Sequence, residues 1–199
     1  INCVAFHPNF PLFVTSSNDT TAILYNLKTV PVTIIHHFRD HRNWVPVVAF
    51  HPCLLVLASE SWDTSVFLYD ISILPPVMKH HLKHHTDCVR CVIFHPSLPF
   101  LATGCLDCLT LLYDISALSS LLSSTSLTPL SPLIVKNQLK HHRTGVMCIA
   151  FHDTLQLMAT VCDDKTVILY DLTTSPPSMK HHLTDYRGYI HSIAFHPIL

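Results

Sequence analysis

The chain has 199 residues, of which 49% are hydrophobic and only 13% charged; ordinary globular proteins carry about 25% charge, so this composition supports a packed core and excludes wholesale disorder. A net charge of -1 and a pI near 7.0 provide no long-range positive field, which removes nucleic acid from the expected partners. His, Asp, Pro and Ser interrupt every apolar stretch short of the roughly 20 residues that span a bilayer, so no membrane insertion is expected. No basic-then-apolar leader opens the chain. Its eight cysteines therefore read as reduced thiols of a cytoplasmic or nuclear protein. Ile1 already lies in an alternating apolar run, and the sequence reads as a fragment.

Followed from the N-terminus, the chain repeats itself. Phe6, Phe50, Phe94, Phe151 and Phe195 each end an apolar run and precede a His, at spacings of 44, 44, 57 and 44 residues. Tyr25, Tyr69, Tyr113 and Tyr170 step by the same 44, 44 and 57. Two landmarks moving together define one unit, and the shared 13-residue excess defines one insertion after Tyr113. The units fall at about 1-40, 41-84, 85-141 and 142-185, with a partial unit at 186-199. Within the second, short β-branched or aromatic runs predict strands at Val45 to Phe50, Leu55 to Ser59, Ser65 to Asp70 and Val77 to Leu82. A four-stranded sheet cannot bury both of its apolar faces alone, so neighbouring units must stack. The expected fold is an all-β propeller of antiparallel blades: four complete blades to about Thr184, then an unpaired inner strand at Tyr189 to Phe195.

These residues resemble the WD-repeat family, whose unit runs from Gly-His through Phe-x-Pro, a small-Ser/Thr pair and a turn Asp to Trp-Asp. The second unit has His41, Phe50-His51-Pro52, Ala58-Ser59, Asp63 and Tyr69-Asp70; the third has His85, Phe94-His95-Pro96, Ala102-Thr103, Asp107 and Tyr113-Asp114; the fourth has His142, Phe151, Ala159-Thr160, Asp164 and Tyr170-Asp171. Tyr stands for Trp throughout, and Asp40, His84, His141 and Asp185 stand for Gly. The resemblance implies a structural hydrogen-bonded relay in each blade: Asp63-His41-Ser59-Tyr69, Asp107-His85-Thr103-Tyr113 and Asp164-His142-Thr160-Tyr170, altered at its Tyr link. Tyr186 replaces His in the fifth unit. The family's rings commonly need roughly 300 residues for seven blades, so the chain corresponds to a little over half a ring.

Cys88-x-x-Cys91 and Cys105-x-x-Cys108 have the spacing of a four-thiolate zinc site. The repeat frame opposes that reading, because Cys91 aligns with Cys3, Val47, Cys148 and Ser192, and Cys105 with Ser17, Ser61 and Cys162. The His doublets at 36-37, 80-81 and 181-182 recur in the outermost strand of different blades, where they suit a solvated edge better than one metal site. Ser/Thr, His and Asp recur in every unit, as architecture does and a catalytic triad does not. No Gly-rich phosphate loop exists. No metal, cofactor or catalytic residue is therefore expected.

The resemblance implies a non-enzymatic scaffold for other proteins or peptides, within a multi-subunit complex. Its partner face would carry Trp44, Trp62 and Arg90, with Arg42 and Asp87 in the loops beside them; the alternative for the two tryptophans is that they merely pack on each other. Two other functional readings stay open: a metal-binding or Cys/His-dependent enzyme, and a truncated propeller relic. The Ser/Pro-rich insertion between about Ser116 and Val135 is expected to be a loop, read either as a plain length variation or as a site of proline-directed phosphorylation at Thr128-Pro129 and Ser131-Pro132.

Overall fold

The computed structural model describes residues 1-118 and 132-196, which leaves most of the Ser/Pro-rich insertion, with both candidate phosphorylation sites, outside the described residues. Among the described residues sixteen strands form four separate four-stranded antiparallel sheets, each in simple sequence order. The first blade holds β1 (Cys3–Phe6), β2 (Leu12–Ser16), β3 (Ala22–Asn26) and β4 (Thr33–Phe38). The second holds β5 (Val48–Phe50), β6 (Val56–Glu60), β7 (Val66–Asp70) and β8 (Val77–Leu82). The third holds β9 (Val89–Phe94), β10 (Phe100–Cys105), β11 (Thr110–Asp114) and β12 (Val135–Leu139). The fourth holds β13 (Val146–His152), β14 (Leu157–Cys162), β15 (Val167–Asp171) and β16 (Ser178–Leu183).

The first strand of the second blade is shorter than expected. Pro46 has no N–H to give the ladder, so regular pairing starts only at Val48; the Val45 amide donates to the Ser17 carbonyl of the first blade at 3.1 Å, as the Val89 amide does to Ser61 of the second at 3.3 Å. Tyr189 to Phe195 takes no ladder partner. In every blade the register slips just before the recurrent Tyr, between β3 and β4, β7 and β8, β11 and β12, and β15 and β16. Such a bulge increases the local twist of the outer pair.

Alternation along the strands gives each sheet two apolar faces, and both are used. Val14, Ala22 and Leu24 of the first blade pack with Val48, Phe50, Leu57, Phe67 and Tyr69 of the second. The next seam joins Val56, Ala58, Val66 and Leu68 to Val92, Phe94, Leu101, Leu111 and Tyr113. The last joins Ala102 and Leu112 to Ile149, Phe151, Met158, Ile168 and Tyr170. The core is thus three inter-blade seams rather than one centre.

A histidine ties each seam at its edge. The Nδ1 of His51 accepts the amides of Cys53 and Leu54 at 3.1 Å each, that of His95 the amides of Ser97 and Leu98 at 3.1 and 3.0 Å, and that of His152 the amide of Leu155 at 3.2 Å. The rings then meet the strand-ending Phe of the following blade: His7 on Phe50 at 5.1 Å, His51 on Phe94 at 5.1 Å and His95 on Phe151 at 4.8 Å. Burial pulls the His7, His51 and His95 rings below their ordinary value, because protonation here would place a charge in an apolar seam.

Glycine is nearly absent where the turns would favour it. The residue after each turn Asp adopts a left-handed conformation, Thr20 at φ 73°, Thr64 at 74°, Cys108 at 70° and Lys165 at 66°. The three glycines are used elsewhere: at Gly104 a Cβ would lie 2.5 Å from Cys91 Sγ and 2.7 Å from Val146, across the third seam. Two outcomes follow. Thr64→Gly should stabilise the protein by about 1 kcal/mol in denaturant titration, because a β-branched residue pays for a positive φ that glycine adopts freely. Stability should also fall with pH: below about 6.5 the unfolded chain takes up protons that the seam histidines refuse. Thermal midpoints measured from about pH 7.5 down to about pH 5.5 should drop, and His95→Asn, which keeps an acceptor but cannot titrate, should flatten that slope.

Candidate functional site

The turn that follows the second strand of each blade folds back onto the loop preceding the first. In the second blade His41 Nδ1 lies 3.1 Å from Asp63 Oδ2, and Nε2 lies 2.8 Å from Ser59 Oγ. The third blade repeats this with His85 at 2.8 Å from Asp107 and 2.7 Å from Thr103. In the fourth, His142 lies 2.7 Å from Thr160 and 3.5 Å from Asp164. A carboxylate can only accept, so Nδ1 carries the proton and Nε2 accepts from the hydroxyl. The same carboxylates also receive backbone amides, Arg42 on Asp63 at 2.7 Å, Thr86 on Asp107 at 3.1 Å and Arg143 on Asp164 at 3.0 Å. Burial would raise the Asp164 carboxyl, yet the Arg143 amide and Thr166 hydroxyl hold it down at about 2.

The hydroxyls of Tyr69, Tyr113 and Tyr170 interact with Ser59, Thr103 and Thr160, and each also meets a further partner. The Tyr69 hydroxyl donates to Asp40 Oδ2 at 2.9 Å, Tyr113 pairs with His84 Nδ1 at 3.3 Å, and Tyr170 pairs with His141 Nδ1 at 3.1 Å. Asp40, His84 and His141 occupy the position where the repeat pattern places Gly. The two departures from that pattern therefore meet in space, and the side chain that replaces Gly satisfies the hydroxyl that replaces the indole N–H.

Of the residues expected to form a partner face, the structure brings three together. Trp44 and Trp62 lie with ring centroids 4.5 Å apart and planes inclined by 36°. The Arg90 guanidinium sits 5.4 Å over the Trp62 ring. With Asn2, Asn18, Pro46 and Val47 they line a depression of about 340 Å³ that spans the first three blades. The tryptophans do pack on each other, and Trp44 nevertheless keeps 41% of its surface exposed. Arg42 lies apart, beside Asp40, Asp63, Phe67, His81 and Lys83 in a second depression. Asp87 is exposed and accepts the Cys88 amide at 2.6 Å.

The four cysteines with zinc-like spacing have separate neighbours. Cys88 Sγ contacts the Trp62 carbonyl at 3.5 Å, Cys105 Sγ the Asp87 carbonyl at 3.1 Å, and Cys108 Sγ the Leu106 carbonyl at 3.8 Å, while Cys91 Sγ abuts Gly104. The geometry instead gathers His85, Cys105 and Asp107, and again His142, Cys162 and Asp164, with potential ligand atoms within 4.8 Å of one another. Spacing alone missed these sets because their members come from a loop, a strand and a turn. In the second blade Ser61 occupies the cysteine position and its hydroxyl receives the Asp63 amide at 3.0 Å, as Cys105 Sγ receives the Asp107 amide at 3.3 Å. The arrangement thus forms without a thiol, and burial pushes the Cys105 and Cys162 thiols up.

Two further side chains went unmarked in the sequence. Glu60 is wholly buried, with neither carboxyl oxygen hydrogen-bonded among the described residues, and burial pushes its carboxyl well above the usual carboxylate range despite the nearby Arg90 charge. Among the described residues Arg90 forms no ion pair. His80 was expected on a solvated edge but is buried, because adjacent strand positions face opposite sides: His81 stays exposed, against Phe67 at 4.3 Å.

Four-stranded antiparallel blades stacked in sequence order define a β-propeller. A family model described as WD domain, G-beta repeat matches residues 1–26, 32–70, 77–114 and 134–171, and the chain belongs to that family. No match was found among curated proteins.

Because the exposed Asp40 accepts from the Tyr69 hydroxyl, removing either should cost about 0.5–1.5 kcal/mol. A double-mutant cycle of Tyr69→Phe and Asp40→Ala in urea unfolding should give a coupling energy of about 1 kcal/mol; additive effects would show that the pair does not act as one unit.

Proposed function

We propose that the chain is a non-enzymatic interaction scaffold that holds a protein or peptide segment in the depression around Trp44, Trp62 and Arg90. The observation that carries this reading is the half-exposed tryptophan pair under an Arg without a counter-ion, in a concavity shared by three blades. Trp and Arg are the residue types most enriched where interface energy concentrates. The free charge of Arg90 favours a segment that brings a carboxylate or a cluster of carbonyl oxygens. Arg42 and Asp87 would contribute at the rim.

The non-enzymatic reading has its own physical support. Ser59, Thr103 and Thr160, the hydroxyls of the three His-Asp sets, are each 0% exposed and already engaged by the histidine. A nucleophile must reach its substrate. The relay is therefore proposed as blade architecture, repeated in units bounded near residues 40, 84, 141 and 185. Eight free thiols suit a reducing compartment, cytoplasmic or nuclear. Among the described residues no helix is long and apolar enough to cross a membrane.

The test is affinity for a partner captured by the intact chain and identified by mass spectrometry. Trp44→Ala and Trp62→Ala should each weaken binding by about 2 kcal/mol or more with thermal unfolding little changed. Unchanged affinity in both variants would remove the site from this face.

A further inference from the structure

The relay needs Asp, His and a hydroxyl, yet in the third and fourth blades a thiol that it does not use stands beside it. Ser17 and Ser61 hold that position in the first two blades, where each hydroxyl receives the amide of the turn Asp, at 3.2 and 3.0 Å. Cys105 and Cys162 replace them, both 0% exposed, and their sulfurs receive the Asp107 and Asp164 amides at 3.3 and 3.4 Å. A ring nitrogen of His85, the Cys105 sulfur and a carboxylate oxygen of Asp107 thereby lie within 4.8 Å of one another, and so do those of His142, Cys162 and Asp164. Nε2 of each ring is held by Thr103 or Thr160 at 2.7 Å, so the nitrogen turned toward the carboxylate is Nδ1.

Imidazole nitrogen, thiolate sulfur and carboxylate oxygen are the donors that zinc takes, at about 2.0–2.3 Å each. One thiolate and one carboxylate balance the charge of a divalent ion, so the loaded set is neutral, as a largely buried set must be. Two nitrogen or oxygen ligands on one tetrahedral ion stand about 3.3 Å apart. His142 Nδ1 and Asp164 Oδ2 are already 3.5 Å apart, whereas His85 and Asp107, at 2.8 Å, must open slightly. The groups behind the ligands are in place as well. Amides of Arg143 and Thr166 hold the Asp164 carboxylate at 3.0 Å each, and those of Thr86 and Leu109 hold Asp107 at 3.1 and 3.0 Å. Asp107 and Asp164 are only half-buried, which gives an ion its route from solvent.

We propose that His85, Cys105 and Asp107 bind one zinc ion and His142, Cys162 and Asp164 a second, more tightly held one, each completed by water. The ion takes the place of the proton on Nδ1. The neutral ring then carries its proton on Nε2 and donates it to the Thr hydroxyl, whose own hydrogen turns to the neighbouring Tyr113 or Tyr170 oxygen. The thiol proton leaves to solvent, one for each ion bound. Zinc thus clips the Asp turn to the His loop while the hydrogen-bonded order of the blade persists. This site is independent of the face around Trp44 and Trp62, and linear spacing does not predict it.

The test uses Zn²⁺ and Co²⁺ as probes on the reduced full chain. Dialysis against Zn²⁺ and elemental analysis should give one ion for each of the two sets. Co²⁺ should produce an intense near-ultraviolet thiolate-to-metal charge-transfer band, which the histidines of the rim cannot supply. Cys105→Ser and Cys162→Ser each reproduce the arrangement that Ser61 already makes, so both variants should keep the β-sheet circular-dichroism spectrum and cooperative unfolding. Each should lose one ion and about half of the band, Cys162→Ser the tighter step, and the double variant should lose both. Cys88→Ser combined with Cys108→Ser, at half-buried positions, should retain both ions. The proposal is overturned by a wild type without the charge-transfer band at saturating Co²⁺, or by a double Cys105→Ser, Cys162→Ser variant that binds as the wild type does. Loss of the band in the Cys88→Ser, Cys108→Ser variant would equally overturn it, by placing the ion among the four spaced cysteines.

Discussion

Everything in this molecule depends on covering sheet faces. A four-stranded blade with apolar residues at both alternations cannot stand in water, and each seam solves the problem for two blades at once. The solution is repeated, not varied: a small or β-branched forward face receives a larger aromatic backward face, and a histidine turned over the seam edge anchors the ring of the following Phe. Since the blades share no common centre, stability is a chain of neighbour terms. A weak seam weakens what lies on either side of it.

The polar relay answers a second demand of the same architecture. Each blade joins its strands by tight turns whose amides need acceptors, and the turn Asp collects one from its own turn and one from the opposing loop. The histidine then fixes that Asp against the strand hydroxyl. Loops held in this way present Trp44 and Trp62 in fixed positions, joined by the Trp62 amide on the Trp44 carbonyl at 3.0 Å. A binding surface built on such turns loses little conformational freedom when it engages a partner.

Much of this was legible in the residues. Phe-His and Tyr landmarks recur because they mark strand ends, so blade number and strand order could be read from spacing alone. The Asp-His-Ser/Thr sets were legible through the family resemblance, whose relay carries over onto residues that recur at constant offsets. The illegible parts depend on neighbours that are distant in sequence. Pro46 shortens β5 because it brings no N–H to the ladder, whereas the third blade, with Arg90 at that position, starts its strand at Val89. Glu60 shows nothing in its local pattern of the burial that pushes its carboxyl up, since the counterparts Ser16, Gly104 and Val161 carry no charge. His85, Cys105 and Asp107 converge through three different elements, which no linear motif records.

The pairing of each repeat tyrosine with Asp40, His84 or His141 has a consequence for how a blade meets its surroundings. The three partners are exposed, whereas the rings of Tyr69, Tyr113 and Tyr170 are buried in the seams. One side chain thus belongs to two environments, its ring to the apolar seam and its hydroxyl to the polar rim. At these three points the inside of a blade is wired to its surface by a single residue.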